Sequence, residues 1–220
     1  MQPLTTWLKR NWLAALCFAL MLAASVIGWF TLSGPLPVHW DMRGNVDRFG
    51  SKLEALSVTP LAALFGYALA LILPKLGKDH QKNTKVIPTL MGVWVVGCTI
   101  IYLGMIAFYL GVGLSVSSLL CLGVGICFVG VGNFMPKVAP NRWVGLRAPW
   151  VYRSDRVWYG TQRAGGWVLT LCGVYFILAG LFTRGETSLL VGVALLLLGV
   201  VGALLYSLWL WRTDDPQPSA

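Results

Sequence analysis

VIPTLMGVWVVGCTIIYLGMIAFYLGVGLSVSSLLCLGVGICFVGVGNF, residues 86–134, runs for 49 residues without one Asp, Glu, Lys, Arg or His. A hydrocarbon core about 30 Å thick takes roughly 20 apolar residues as a helix, so the stretch is long enough for two crossings. Gly111-Val112-Gly113 divides it. Closely spaced glycines punctuate a helix rather than extend it. The reading is a tight helical hairpin with spans at Val86–Leu110 and Leu114–Phe134.

Working outward, four more charge-free apolar stretches appear, at about Trp12–Leu32, Leu56–Leu73, Trp167–Thr183 and Leu189–Trp211. The expected architecture is one all-α integral membrane domain over residues 1–220 with six transmembrane helices. Composition agrees. Of 220 residues, 57% are hydrophobic and 11% charged, where a soluble domain carries about 25% charged residues. That excludes a disordered chain, a disulfide scaffold and an ordinary soluble enzyme. Lys9-Arg10 before an apolar run could open a signal peptide, but the run is too long for an h-region and five spans follow. We therefore expect an uncleaved first helix. Cys17, Cys98, Cys121, Cys127 and Cys172 all fall inside spans and read as small buried hydrophobes.

The net charge of +9 would suggest nucleic acid in a soluble protein. Here its distribution gives it another meaning. Thirteen of the seventeen Lys and Arg fall on the side holding the N-terminus, the loop after span 2, the loop after span 4 and the tail; four fall on the other. Basic residues collect in cytoplasmic loops. Both termini are thus expected in the cytoplasm, and direct nucleic-acid binding is not.

Only two segments between spans are long, and together they hold nine of the seventeen basic residues. The outer loop is SGPLPVHWDMRGNVDRFGSKLEA (33–55). Pro35 and Pro37 enforce extended backbone, and Gly44 and Gly50 supply turns. An EF-hand starting at Asp41 fails, since position 6 is Val46 where Gly is needed and position 12 is Lys52 where Glu is needed. No metal or cofactor site is expected. The simplest expectation is that Asp41, Asp47, Arg43, Arg48 and Lys52 neutralise one another in a compact loop.

The cytoplasmic loop is MPKVAPNRWVGLRAPWVYRSDRVWYGTQRAGG (135–166). Its first part carries three prolines and cannot be one helix. Ser154-Asp155 reads as an N-cap with an acid in the first turn, opening a short interfacial helix that Gly165-Gly166 lets bend into span 5. Five of its six basic residues are Arg, the side chain suited to bidentate binding of carboxylate or phosphate. The loop is expected to meet membrane lipid or an acidic cytoplasmic partner.

The same two loops carry a family resemblance. LPVHWDMRGNVDRFGSK (36–52) resembles the outer motif of the SdpI-type bacterial immunity protein family, through His39, Trp40, Asp41, Gly44, Asp47, Gly50, Ser51 and Lys52. GNFMPKVAPNRWVGLRAPWVYRSDRVWYGTQRAGG (132–166) resembles its second motif. The matching positions there are Asn133, Pro136, Asn141, Gly145, Arg147, Pro149 and Trp150, then Val157, Trp158, Thr161, Arg163 and Gly166. The family often has His where this chain has Gln162, and Asn where it has Asp41.

The resemblance implies a multi-pass protein of the bacterial cytoplasmic membrane. It would give immunity to, or sense, an extracellular antimicrobial peptide or toxin, with no catalytic residues. It also implies toxin-dependent capture of a cytoplasmic transcriptional repressor by the inner loop. Two alternatives stay open. One is a small-molecule or lipid transporter, which ordinarily places ionisable groups within the membrane, whereas these spans hold none. The other is a membrane enzyme using the His39, Asp41 and Asp47 loop.

Overall fold

The computed structural model describes residues 4–41, 45–72, 83, 86–183 and 187–214. Six long helices and one β-hairpin follow in chain order. They are α1 (Leu4–Thr31), β1 (Leu36–Trp40), β2 (Val46–Gly50), α2 (Lys52–Ile72), α3 (Val86–Tyr109), α4 (Val116–Phe134), α5 (Asp155–Phe182) and α6 (Thr187–Arg212). Two short 3-10 turns, Met135–Lys137 and Pro149–Tyr152, interrupt the segment between α4 and α5.

Among the described residues, five helices are long and apolar enough to cross a bilayer: α1 from Asn11, α3, α4 with the turn after it, α5 and α6. The expected second span, Leu56–Leu73, lies in α2 as far as Ile72, with Leu73 outside the described residues, and α2 is not among those five. The helix begins earlier than the apolar run, so Lys52 and Glu54 lie in its first turn, and it carries Pro60 inside. The all-α expectation also omitted the hairpin β1–β2, an antiparallel two-stranded sheet. It forms because Pro35 and Pro37 keep the chain extended just where the apolar run of α1 has ended.

The turn between α3 and α4 lies where the glycines place it. Gly111 has φ +83°, a left-handed conformation that side chains avoid. Ser115 caps α4, accepting from the Ser118 amide at 3.4 Å.

Gly165-Gly166 corrects another expectation. The helix does not bend there; α5 is continuous for 28 residues from the Ser154 cap. The glycines serve packing instead. A Cβ on Gly166 would lie 2.7 Å from the Gly132 carbonyl oxygen, and one on Gly132 would lie 2.6 Å from the Gly166 oxygen. Gly125 and Gly173 repeat the arrangement two turns on, at 2.8 and 2.7 Å. Helices in lipid associate through such close backbone approach, because lipid supplies no hydrophobic drive for larger side chains.

On the other side of α3, the fold is held by a polar contact. Pro60 has no N–H, so the carbonyl of Leu56 loses its helical partner. Tyr102 from α3 donates its hydroxyl to that carbonyl at 3.0 Å. Ser25 from α1 stands 3.2 Å from the same oxygen and 2.6 Å from the Tyr102 hydroxyl. One carbonyl thus joins three helices.

The outward faces are apolar. Phe30 is 82% exposed, Phe182 81% and Leu198 71%. So much exposed apolar surface is not tolerated in water and marks lipid as the solvent. All five cysteines are free and buried, as the sequence suggests.

Tyr102→Phe should therefore lower stability by about 1 kcal/mol, the scale of a buried interhelical hydrogen bond in a membrane protein. In a Pro60→Ala background the loss should shrink, because the new amide can satisfy Leu56 from within α2. Thermal unfolding of the four proteins in one detergent measures both terms.

Candidate functional site

Two polar structures stand at opposite ends of the bundle: the hairpin, and the basic segment between α4 and α5.

The hairpin pairs Leu36 with Gly50, Pro37 with Phe49, His39 with Arg48 and Trp40 with Val46, with irregular register on either side of His39. Asp41 closes its tip by accepting from the Asn45 amide at 2.8 Å and from Asn45 Nδ2 at 3.2 Å. Gly44 and Arg43 lie outside the described residues. His39 Nδ1 lies 2.7 Å from Asp47 Oδ1, with side chains 63% and 43% exposed.

Arg43 lies outside the described residues, and Asp47, Arg48 and Lys52 find partners other than one another. Asp47 pairs with His39, Arg48 with Glu54 at 2.8 Å, and Lys52 donates to the Trp29 carbonyl at 2.7 Å. Adjacent strand residues point to opposite faces, so Asp47 and Arg48 cannot share a partner. Ser51 caps α2, accepting from the Glu54 amide at 3.1 Å.

The hairpin is rooted in the helices. Leu36 is buried, and the Tyr109 hydroxyl at the end of α3 donates to the Pro37 carbonyl at 2.6 Å. Trp40 packs edge-on against Phe108, ring centres 6.1 Å apart. Lys52 also lies over the Trp29 ring of α1, 5.4 Å from its centre. His39, Asp47, Arg48 and Phe49 are left facing outward from a fixed base.

The basic segment is more tightly built than its composition suggests. Three buried amide side chains hold its backbone. Asn83 donates to the Ala139 carbonyl at 3.2 Å and accepts from the Ala139 amide at 3.0 Å. Gln162 does the same to Leu146, at 2.9 and 3.0 Å. Asn141 accepts from the Trp143 and Val144 amides and donates to the Ala139 and Val144 carbonyls, all within 3.2 Å. Gly145, at φ +117°, sits so close that a Cβ would lie 2.4 Å from Gln162 Oε1.

Trp158 and Thr161 are fully buried and partner the backbone: the indole donates to the Val138 carbonyl at 2.7 Å, the hydroxyl to Val157 at 2.7 Å. Trp150 reaches α6, donating to Ser207 at 3.0 Å. Pro136 packs on Gly166. The residues matching the second motif therefore divide in two. Asn141, Gly145, Trp150, Trp158, Thr161 and Gly166 build the scaffold, while Asn133, Arg147, Pro149 and Arg163 are exposed on it.

The arginines stand around this scaffold. Arg142, Arg147, Arg153, Arg156 and Arg163 are all exposed. Arg147 donates to the Arg142 carbonyl. Arg156 donates to the Thr213 carbonyl at 2.8 Å and lies 3.5 Å from Asp214, which ties the segment to the end of α6. Among the described residues, no carboxylate pairs with Arg142, Arg147, Arg153 or Arg163.

Sequence reasoning missed Asn83 and Ser207 and saw Gln162 only as a departure from the family pattern. A lone Ser or Asn at the edge of an apolar helix is a usable signal, because a buried polar group needs a partner.

Gln162→Leu removes both bonds to Leu146 and leaves that half-buried amide and carbonyl without their side-chain partner. We expect a loss of about 1–3 kcal/mol. Faster hydrogen exchange should appear at Leu146 while α3 and α4 stay protected, which peptide-resolved exchange measures.

Comparison with known proteins agrees with the motifs. The SdpI/YfhL protein family matches residues 137–207, the basic segment with α5 and most of α6. A domain of unknown function, DUF1648, matches residues 16–64, which span α1, the hairpin and the start of α2. The chain is 28% identical to immunity protein SdpI of Bacillus subtilis (strain 168) over 195 residues, covering 88% of this chain and 92% of that protein. No solved structure matches. The alignment runs through nearly the whole length of each protein, so the chain is similar to the SdpI/YfhL family across both polar ends, and its apolar helices make it a multi-pass membrane protein.

Proposed function

We propose that this protein gives its host immunity to an extracellular antimicrobial peptide or toxin at the bacterial cytoplasmic membrane. The supporting observation is the likeness to immunity protein SdpI over 88% of the chain, which takes in both polar ends. In this reading the hairpin faces outward and meets the peptide, and the arginine-bearing segment lies in the cytoplasm. The orientation rests on the thirteen-to-four distribution of Lys and Arg. The sixth crossing is assigned to α2, which must return the chain if the hairpin and the basic segment lie on opposite sides.

Alpha3 offers the route between the two ends. Tyr109 and Phe108 at its one end hold the hairpin. Leu90 near its other end packs in a buried cluster with Val138, Val151 and Trp158 of the basic segment. A peptide that prefers one setting of α3 shifts the basic segment with it, since a ligand moves an equilibrium by its differential affinity for two states. The exposed arginines would then take up an acidic surface on a cytoplasmic regulator such as a repressor. Catalysis is not part of the proposal, because the His39–Asp47 pair is open to water. Transport is disfavoured by spans without charged side chains.

Deleting the gene in its own host should sensitise cells to at least one secreted membrane-active peptide, and expression of the intact chain should restore resistance. Unchanged growth across a panel of such peptides would overturn the reading. Arg163→Ala and Arg147→Ala should weaken capture of a cytoplasmic partner in pull-downs while leaving peptide crosslinking to the hairpin intact. Equal loss of both would contradict the division of labour between the two ends.

A further inference from the structure

A cavity of about 580 Å³ lies within the bundle, lined by α1, α3, α4 and α5 with Tyr67 of α2. This is inside the range of about 300–1,000 Å³ that holds small organic ligands. Its walls have a direction. Asn11, Tyr67 and Thr89 gather at one end, and Val96, Ile126 and Ile177 line the other. From Pro88 at the polar end to Val96 at the apolar end is eight residues of α3, about 12 Å along the helix axis. The cavity therefore runs along the membrane-spanning helices, parallel to lipid chains, and is polar only at one membrane end.

The polar end is built. Alpha1 leaves helical geometry at Asn11, with φ −120° and ψ 20°. The side chain is buried, and its Oδ1 accepts from the Tyr67 hydroxyl at 2.8 Å. Trp12, next to it in the cavity wall, is 62% exposed on the apolar outer face of α1. The emptiness has an independent sign: a Cβ on Gly92, in the cavity wall, would meet nothing within 4 Å. Charge identifies the ligand class. Lys9 and Arg10 precede Asn11 directly in the chain. Basic residues at a membrane surface attract anionic headgroups.

We propose that this cavity seats one acyl chain of an anionic phospholipid, with the phosphate at the Asn11 end and the chain reaching to Ile126 and Ile177. The lipid would fill a void between α1 and the α3–α4–α5 bundle that the protein's own side chains leave open. This inference does not depend on the immunity reading.

The test uses the full-length protein taken up from vesicles of equal parts palmitoyl-oleoyl phosphatidylglycerol and phosphatidylcholine, with retained lipid read by native mass spectrometry. The wild type should hold one phosphatidylglycerol, at least about tenfold over phosphatidylcholine, a preference worth one decade in affinity. Gly92→Leu, which fills the void, and Ile126→Trp, which fills it from the facing wall, should each erase that preference. Gly202→Leu on α6, where a Cβ also meets nothing within 4 Å but which does not line this cavity, should keep it. Thermal midpoints confirm that the variants fold, and if neither filled variant folds, the wild-type lipid ratio decides alone. The proposal is overturned if the wild type retains both lipids equally or if the filled variants retain phosphatidylglycerol as the wild type does.

Discussion

The carbonyl of Leu56 is the point on which the hairpin end of the molecule depends. In hydrocarbon no water is at hand to satisfy a backbone group, so a carbonyl orphaned by Pro60 must find a partner within the protein. Tyr102 and Ser25 supply it, and in doing so fix α1, α2 and α3 against one another. The contact is close: a Cβ on Gly28, one turn from Ser25, would lie 3.0 Å from the Leu56 side chain. The hairpin emerges from the ends of these three helices. Its anchors, Trp29, Lys52 and Tyr109, belong to α1, α2 and α3 in turn.

The other end is held by a different means. Alpha4 and α5 meet backbone to backbone through reciprocal glycine pairs, and this brings the two ends of the basic segment together. The segment itself is fixed by amide side chains that read its backbone as a neighbouring strand would. Asn83, Asn141 and Gln162 each make paired bonds, so loop backbone that could not survive beside lipid is satisfied inside the protein. The exposed arginines thus stand on a frame whose backbone is held by buried side chains. Alpha3 belongs to both ends, packing on Tyr109's side against the hairpin and on Leu90's side against Val138, Val151 and Trp158.

Several features of the site were legible in the sequence and several were not. Pro35, Pro37 and the flanking turn residues indicated extended backbone, but pairing into strands depends on register, which a loop sequence does not show. Asp47, Arg48 and Lys52 are visible in the sequence as charged neighbours, but their partners are His39, Glu54 and the Trp29 carbonyl rather than one another. Strand alternation and the nearness of Trp29, 23 residues away in the chain, decided them. Trp158, Thr161 and Gly166 were recognisable as motif residues. Their burial turns them from candidate contacts into supports for the arginines beside them.

The sequence alone determined the membrane character, because charge-free runs of about 20 residues have no other stable environment. It determined the hairpin of α3 and α4 at Gly111, the Ser154 cap and the likeness to the SdpI/YfhL family, since each rests on residues adjacent in the chain. Tertiary structure decided what adjacency cannot express. Gly165-Gly166 became a packing surface rather than a bend because Gly132 lies opposite, and Gln162 became a brace because Leu146 lies opposite. Pro60 became the centre of a three-helix contact because Ser25 and Tyr102, 77 residues apart, converge on the carbonyl it leaves free. Local propensity acts within a few residues, and in lipid the demand that every backbone polar group be satisfied acts across the whole bundle.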